Sequence, residues 1–420
     1  MIISGDTLYS ERFLLKTLLE LTSQNGKKLE ESFEKDLCFL WDMTIEKSVV
    51  KLLLEHSVLE LFSGIIDITE DDRLIEILLG IIGNMCCLLE TRDVLCNSPE
   101  VMTVILNQLI SSDPLILLQL MRLLYSAILF ENSGDELTWF DHFKNCENFV
   151  EKFAFILANS TSSTLLTCSF EALNAICAKF AVIELQPETP KDPCFSKIFV
   201  QKCLIEGLIE AFKQVIPINI ESDSSSTDLI PTNSIQKFMN LFLELNLILS
   251  QYEQSSLDAY KDGLDEFNKC LSRILTPLTQ KMYLFPLTST HQGVIENIND
   301  IVQALGDVFN PECFSQMVLI WELIEDEKSK EKPSEWEDDS DDGTAVDLVD
   351  ICMTILEYCT RISYNCSEIE FINSVKVLNP KIVKTLYTRL FDNDSSESVE
   401  IQSIVEKLKQ SLKSNWDIIV

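Results

Sequence analysis

Glycine and proline are scarce in this chain, 11 and 12 among 420 residues. Sheet-and-turn architectures need more of both, so the shortage favours helices. Histidine is scarcer still, with only His56, His142 and His291. None sits in an HExxH or cysteine-rich ligand spacing, so no zinc site is expected, and no other metal or cofactor. The glycine motifs of phosphate loops, dinucleotide sites and nucleophile elbows are missing, which removes support for nucleotide and hydrolase chemistry. Basic residues are few: 33 Lys and Arg stand against 67 Asp and Glu, a net charge of −34. Such a field repels phosphate backbones and anionic membrane surfaces alike. No apolar run reaches the ~20 residues of a membrane span without a charged or strongly polar side chain. The opening MIISGDTLYSERF has neither a basic stretch nor an apolar core, so no secretory signal is expected.

Hydrophobic residues make up 46% and charged residues 24%, the balance of a folded chain with a large core. The excess acid has two readings. It keeps a very apolar protein soluble, or it complements basic partner segments. Fourteen cysteines without a visible signal point to reduced thiols in the cytosol or nucleus. Cys38, Cys86, Cys168, Cys177 and Cys352 lie on apolar helix faces, where thiols act as small hydrophobes. Cys86-Cys87 is adjacent rather than CxxC, so neither a redox nor a metal motif.

The most apolar stretch is Leu74–Leu89, LIEILLGIIGNMCCLL, with Glu76 and Asn84 its only strongly polar side chains. A helix apolar all round is buried between other helices. Weaker copies follow Asp113-Pro114 and Ser163-Thr164. Leu78, Ile81 and Ile82 align with Leu120, Leu123 and Leu124; Leu115 and Leu123 align with Leu165 and Leu173. The first spacing fits the ~40–47 residue period of armadillo and HEAT repeats, and the second is slightly longer. Most segments read as helix pairs joined by polar turns, giving an all-α, armadillo/HEAT-like α-solenoid of degenerate repeats.

Four regions follow. Residues 1–35 hold an N-terminal helix, capped near Asp6 or Thr7, and a linker. Residues 36–185 hold the clearest repeats, with helices expected over Asp135–Leu157 and Leu165–Phe180. Residues 186–235 are proline- and serine-rich loops around one helix at Lys197–Val215. Residues 236–420 hold further helical repeats, interrupted by the charged loop 326–343. The last helices are expected over Ala345–Tyr364, Val375–Leu390 and Val399–Leu412.

Tyr9-Ser10, Trp41-Asp42-Met43 and Gly83-Asn84-Met85 occur in order over the first quarter of the chain. Together they make it resemble the serum amyloid A-like protein family, a name that implies no relation to the amyloid-forming lipoprotein. The resemblance implies an armadillo-type fold, a nuclear location, a role in promoting cell proliferation, and no transferable active site. Asn84 resembles the asparagine that holds an extended peptide in armadillo grooves. A buried asparagine bonded to a neighbouring helix is the structural alternative. No asparagine ladder follows, since Ser126 takes the equivalent place, and Gly80 stands one turn before Asn84 where a tryptophan would be needed. Trp41 and Asp42 could form an exposed recognition spot, against the plainer reading of a core tryptophan beside a helix end.

Asp141-His142 lies near Cys146, and His142 and Cys146 share a helix face, so the group mimics a nucleophile with its base, beside the reading of chance surface neighbours. Asp338, Ser340, Asp342 and Gly343 imitate half of a calcium loop, but Val349 stands where its glutamate belongs. Ser334 and Ser340 lie among acids, as acidophilic kinases prefer. The expected function is a non-catalytic protein-interaction scaffold; the competing one is a transport adaptor holding basic cargo in an acidic groove.

Overall fold

The structure is a computed structural model that describes residues 11–23, 28–129, 136–185, 195–216, 232–329, 348–376 and 378–391. The chain divides into two compact units, Met1–Val215 and Ile216–Val420. Every regular element among the described residues is helical.

The first unit runs α1 (Glu11–Thr22), α2 (Glu31–Met43), α3 (Lys47–Glu55), α4 (Val58–Ile68), α5 (Asp72–Met85), α6 (Leu89–Cys96), α7 (Pro99–Asn107), α8 (Pro114–Leu129), α9 (Glu136–Asn145), α10 (Phe149–Asn159), α11 (Ser163–Leu185), α12 (Phe195–Phe199) and α13 (Lys202–Val215). A 3-10 turn, Gln108–Ile110, extends α7. The unit follows a triplet rule of short, middle and long helix: α3-α4-α5, α6-α7-α8, α9-α10-α11. The long helices form one row, in which α2, α5, α8 and α11 pack in succession. The middle helices form a second row, where α4 packs on α7, the 3-10 turn on α10, and α10 on α13. The three stretches matched in the sequence are therefore adjacent helices of the first row. Leu78, Ile81, Leu120, Leu123 and Leu173 are fully buried between them. Each such side chain contributes roughly 1.5–3 kcal/mol.

A capping signature starts every long helix of the three triplets. Thr69 Oγ1 accepts from Asp71 N–H, and Asp71 Oδ1 from Leu74 N–H. Ser111 Oγ accepts from Asp113 N–H, and Asp113 Oδ1 from Leu115 and Ile116 N–H. Ser160 Oγ accepts from Ser162 N–H, and Ser162 Oγ from Leu165 N–H. These contacts satisfy backbone donors that have no partner inside the helix.

The signature recurs at positions 69, 111 and 160, steps of 42 and 49 residues. The first step agrees with the apolar alignment. The second corrects it by one residue, because Leu115 is 48% exposed while its aligned Leu165 is buried.

Other expectations need correcting. Helical pairs become triplets because α3, α6 and α9 are separate short elements. The stretch Leu74–Leu89 ends as helix at Met85, where Arg92 Nη1 donates to the Cys86 carbonyl at 2.8 Å. Asp135–Leu157 is broken, since Asn148 adopts φ 54° before α10. Asparagine tolerates this left-handed conformation better than most residues. Lys197–Val215 is two helices, α12 and α13.

The second unit holds α14 (Asn233–Ser250), α15 (Glu253–Tyr260), α16 (Leu264–Leu275), α17 (Lys281–Leu284), α18 (Ser289–Ala304), α19 (Pro311–Lys328), α20 (Leu348–Tyr364), α21 (Glu368–Lys376) and α22 (Pro380–Phe391). Within it α14, α18 and α20 pack in succession, and α19 packs on α16, α20 and α21. Arg361 ties α20 to α18, donating to Asp307 Oδ1 at 2.7 Å, Asn299 Oδ1 at 3.1 Å and the Asn299 carbonyl at 3.2 Å. The loop expected from residue 326 begins later, because α19 continues through Lys328. Pro380 splits the expected Val375–Leu390 helix into α21 and α22. Ser334, Ser340, the calcium-loop residues, the Asp6 cap and the Val399–Leu412 helix lie outside the described residues. No single helix among the described residues is long and apolar enough to cross a membrane.

Candidate functional site: the open face of the long-helix row

The sequence candidates Trp41, Asp42 and Asn84 meet where α2 ends against α5. The last carbonyls of α2 lack helical partners. The Trp41 carbonyl accepts from Thr44 N–H at 3.1 Å, from the Thr44 hydroxyl, and from Asn84 Nδ2 at 3.3 Å. The same Asn84 nitrogen donates to Thr44 Oγ1 at 3.2 Å. Both amide hydrogens of Asn84 are thus engaged in closing the end of α2. Its side-chain oxygen has no hydrogen-bond partner among the described residues.

The Trp41 ring lies flat against α5 at Gly80. A Cβ built on Gly80 would stand 2.0 Å from Trp41 Cζ2 and 2.3 Å from Cε2, well inside contact distance. Glycine is therefore required there for room, in the middle of a helix where it otherwise costs about 0.5–1 kcal/mol relative to alanine. The place one turn before Asn84 is filled by an indole after all, contributed by the preceding long helix. Gly80→Ala should destabilise the protein by about 1–2 kcal/mol, as overpacking does. In a Trp41→Ala background the same change should instead stabilise it, by about 0.5–1 kcal/mol of helix propensity. Equilibrium urea unfolding of the four proteins checks this; additive effects would contradict the contact.

Next to Trp41, one face of α2 carries Glu31, Glu34, Lys35, Cys38, Phe39 and Asp42 around an open cavity of about 450 Å³. Most of its acid is neutralised locally. Lys35 pairs with Glu31 at 2.7 Å. Arg73, at the start of α5, pairs with Glu34 at 2.7 Å and Glu76 at 2.8 Å. Its Nη2 also reaches Cys38 Sγ at 3.5 Å. Hydrogen bonds to Glu76 and Glu34 hold the Arg73 guanidinium firmly charged. Burial pushes the Cys38 thiol up, with Arg73 opposing, so it is not a ready thiolate. Asp42 is exposed and makes no ion pair among the described residues.

The 42-residue register carries this face onto α8. Arg73, Glu76, Gly80, Asn84 and Cys87 correspond to Leu115, Leu118, Arg122, Ser126 and Leu129. On α8 those positions form one solvent-facing stripe, with Leu115 and Leu129 about half exposed and Arg122 between them. Arg122 Nη1 donates weakly to Gln119 Oε1 at 3.4 Å, and it has no carboxylate partner among the described residues. The alignment Gly80–Arg122 was available in the sequence, yet only the exposure pattern reveals Arg122 as part of the face. The 49-residue step puts Glu171 at the next place, on α11.

The catalytic look-alike does not assemble. His142 Nε2 bonds the Cys96 carbonyl at 2.8 Å. Cys146 lies just beyond the end of α9; its Sγ accepts from Lys152 Nζ at 3.9 Å, and burial pushes the thiol up. His291 caps α18 together with Thr288, and His56 is exposed. No group of three or more His, Cys, Asp or Glu among the described residues could hold a metal ion. A second cavity, of about 720 Å³, opens near the starts of α8 and α11. Exposed Ile110 and Phe155 line it, with Glu151 and Lys152 its only charged residues.

Two rows of stacked helix triplets define an armadillo/HEAT-like α-solenoid. By structure the chain is similar to SYS-1 in a crystal of the SYS-1/POP-1 complex, at a TM-score of 0.52 and 10% identity. That match covers 95% of this chain and 62% of SYS-1. A designed armadillo repeat protein aligns with 69% of the chain at a TM-score of 0.43 and 11% identity. No family model matches the sequence. By sequence it is similar to Protein saal1 of Danio rerio, 30% identical over 182 residues, which are 41% of this chain and 38% of that protein. Protein SAAL1 of Homo sapiens is 26% identical over 245 residues, 52% of this chain and 50% of that one. The chain thus spans half or less of the length of the curated relatives it matches.

Proposed function

We propose that this chain is a divergent member of the serum amyloid A-like family and acts as a non-catalytic protein-interaction scaffold. The observation that carries this reading is the open face repeated from α2 to α8. It presents an aromatic ring, an amide and isolated charges over successive helices, instead of a pocket where reactive groups converge. Extended repeat surfaces of this kind suit protein segments better than small molecules. Partner contacts fall on Trp41, Asp42 and Asn84, with Arg122 added. A nuclear location and a role in cell proliferation belong to the same proposal and rest on the resemblance to the family. Phosphorylation of Ser334 and Ser340 would add a second, acidic docking element.

The competing reading, an adaptor for basic cargo, draws on Asp42 and the acids of α2. Against it, Lys35 and Arg73 neutralise Glu31 and Glu34, and no acid ladder continues onto α5 and α8.

The test is affinity purification of three tagged proteins from nuclear extract. These are the wild type, an Asp42→Lys/Arg122→Glu face variant, and an Ile369→Ser control on the second unit, where Ile369 is 72% exposed. A partner kept by the control and lost by the face variant is the expected result. Identical partners for all three would reject the face, and deletion of residues 330–343 would then locate binding on the acidic segment. Imaging of the tagged protein checks the location.

A further inference from the structure

The face is not uniformly acidic, and its charges lie in a defined order. Asp42 sits at the α2 end, beside the indole that covers Gly80. Arg122 sits at the α8 end, at the place in the repeat that Gly80 occupies on α5. Between them lie the Trp41 ring and the side-chain oxygen of Asn84. The apolar Leu115 and Leu129 flank Arg122 along its own helix. Both charged side chains are exposed, and neither has an ion-pair partner among the described residues. In a chain with 67 acids, an arginine held on an open apolar stripe without a carboxylate is a local reversal of sign.

We infer that the face binds an extended segment of a protein partner that carries a basic residue toward α2 and an acidic residue toward α8, with apolar residues between. This inference rests on the scaffold reading above and names the partner's chemistry. Charge complementarity sets the order. The long-helix row fixes the spacing. Neighbouring helices pack about 8–10 Å apart, so two steps from α2 to α8 span about 16–20 Å. An extended chain advances about 3.3 Å per residue, which separates the two charged residues of the partner by about five or six positions. Trp41 supplies a flat apolar seat for the residues between, and Asn84 Oδ1 accepts a backbone N–H from the segment. Glu171 lies one helix beyond Arg122, about 8–10 Å further. That is about one Debye length at physiological salt, so direct contact with Arg122 outweighs the screened repulsion from Glu171.

The experiment is selection of a random twelve-residue phage library against the whole protein. Asp42→Lys, Arg122→Glu and the double variant are selected in parallel. Unchanged circular dichroism and melting temperature establish that each variant folds, as expected for exposed positions. Wild type should enrich peptides with Lys or Arg five or six positions from Asp or Glu. Arg122→Glu should lower affinity for those peptides at least tenfold and shift selection to a basic residue at the acidic position. Asp42→Lys should change the other position alone, and the double variant should select the reversed order. Peptides that are purely basic and indifferent to Arg122→Glu would overturn this inference and leave the scaffold reading standing. Peptides that bind every variant equally, or no enrichment at all, would overturn both.

Discussion

Replacing Arg73 with alanine is expected to cost the first unit about 2–4 kcal/mol. Arg73 is the only bridge between the carboxylates of Glu34 on α2 and Glu76 on α5 among the described ion pairs. Glu76 has a side chain only 8% exposed, so without Arg73 it is a buried charge with no counter-ion. Breaking a fully buried pair from one side costs about 3–5 kcal/mol. Arg73 and Glu34 are 41% and 33% exposed, and solvent screening lowers the expected loss. The distinguishing result is a double change. Arg73→Ala with Glu76→Gln should recover at least half of the loss, because the buried charge has gone with its partner. Urea denaturation measures both. A loss equal in the single and double variants would mean that Arg73 acts through packing of its stem alone.

Gly207→Ala should cost about 2–3 kcal/mol, in spite of the helix propensity that alanine adds. A Cβ at this point of α13 would stand 2.9 Å from the Ala154 carbonyl oxygen, 3.2 Å from Ala154 Cα and 3.3 Å from Leu157 Cβ. Two of these neighbours are backbone of α10, which cannot rotate aside as a side chain can. Relief therefore requires the two helices to separate, and overpacked cores pay about 1–3 kcal/mol for such shifts. Gly64→Ala on α4 is the matched control. Nothing lies within 4 Å of its added methyl, so it should gain about 0.5–1 kcal/mol. Thermal unfolding of the pair should show melting temperatures moving in opposite directions. A common direction would mean that α10 and α13 are not in close contact at Gly207.

Much of this architecture was legible in the sequence. The three apolar stretches are consecutive members of one row, and Asp113-Pro114 starts α8 as capping chemistry requires. The register was less secure. Helices such as α5 and α8 are apolar on most sides, so sliding one past another still matches leucine to leucine. A slip of one residue turns a helix by about 100°, which is why Leu115 was paired with buried Leu165. The serine, threonine and aspartate pairs before each helix fix the register better, because a cap has one geometry and no degenerate alternative. The turn at His56-Ser57 was legible, but the break at Asn148 was not, because Asn148 takes positive φ without being glycine. At the site, Trp41 and Asn84 were visible as residues, but their meeting was not. Contact between Trp41 and Gly80 joins positions far apart in sequence, and nothing local announces it. Arg122 is one cation on a mostly apolar helix, and only its exposure places it on the face.

The capping signature has a consequence for how such a chain can change length. Each long helix takes its starting phase from its own loop and not from the helix before it. The step of 42 residues and the step of 49 therefore end in helices equally well seated in the row. Errors of phase do not accumulate from one triplet to the next, since each cap resets the count. Insertions and deletions ahead of a cap are absorbed where they occur. Sequence drift in one triplet leaves the orientation of its neighbours, and the residues they expose, as they were.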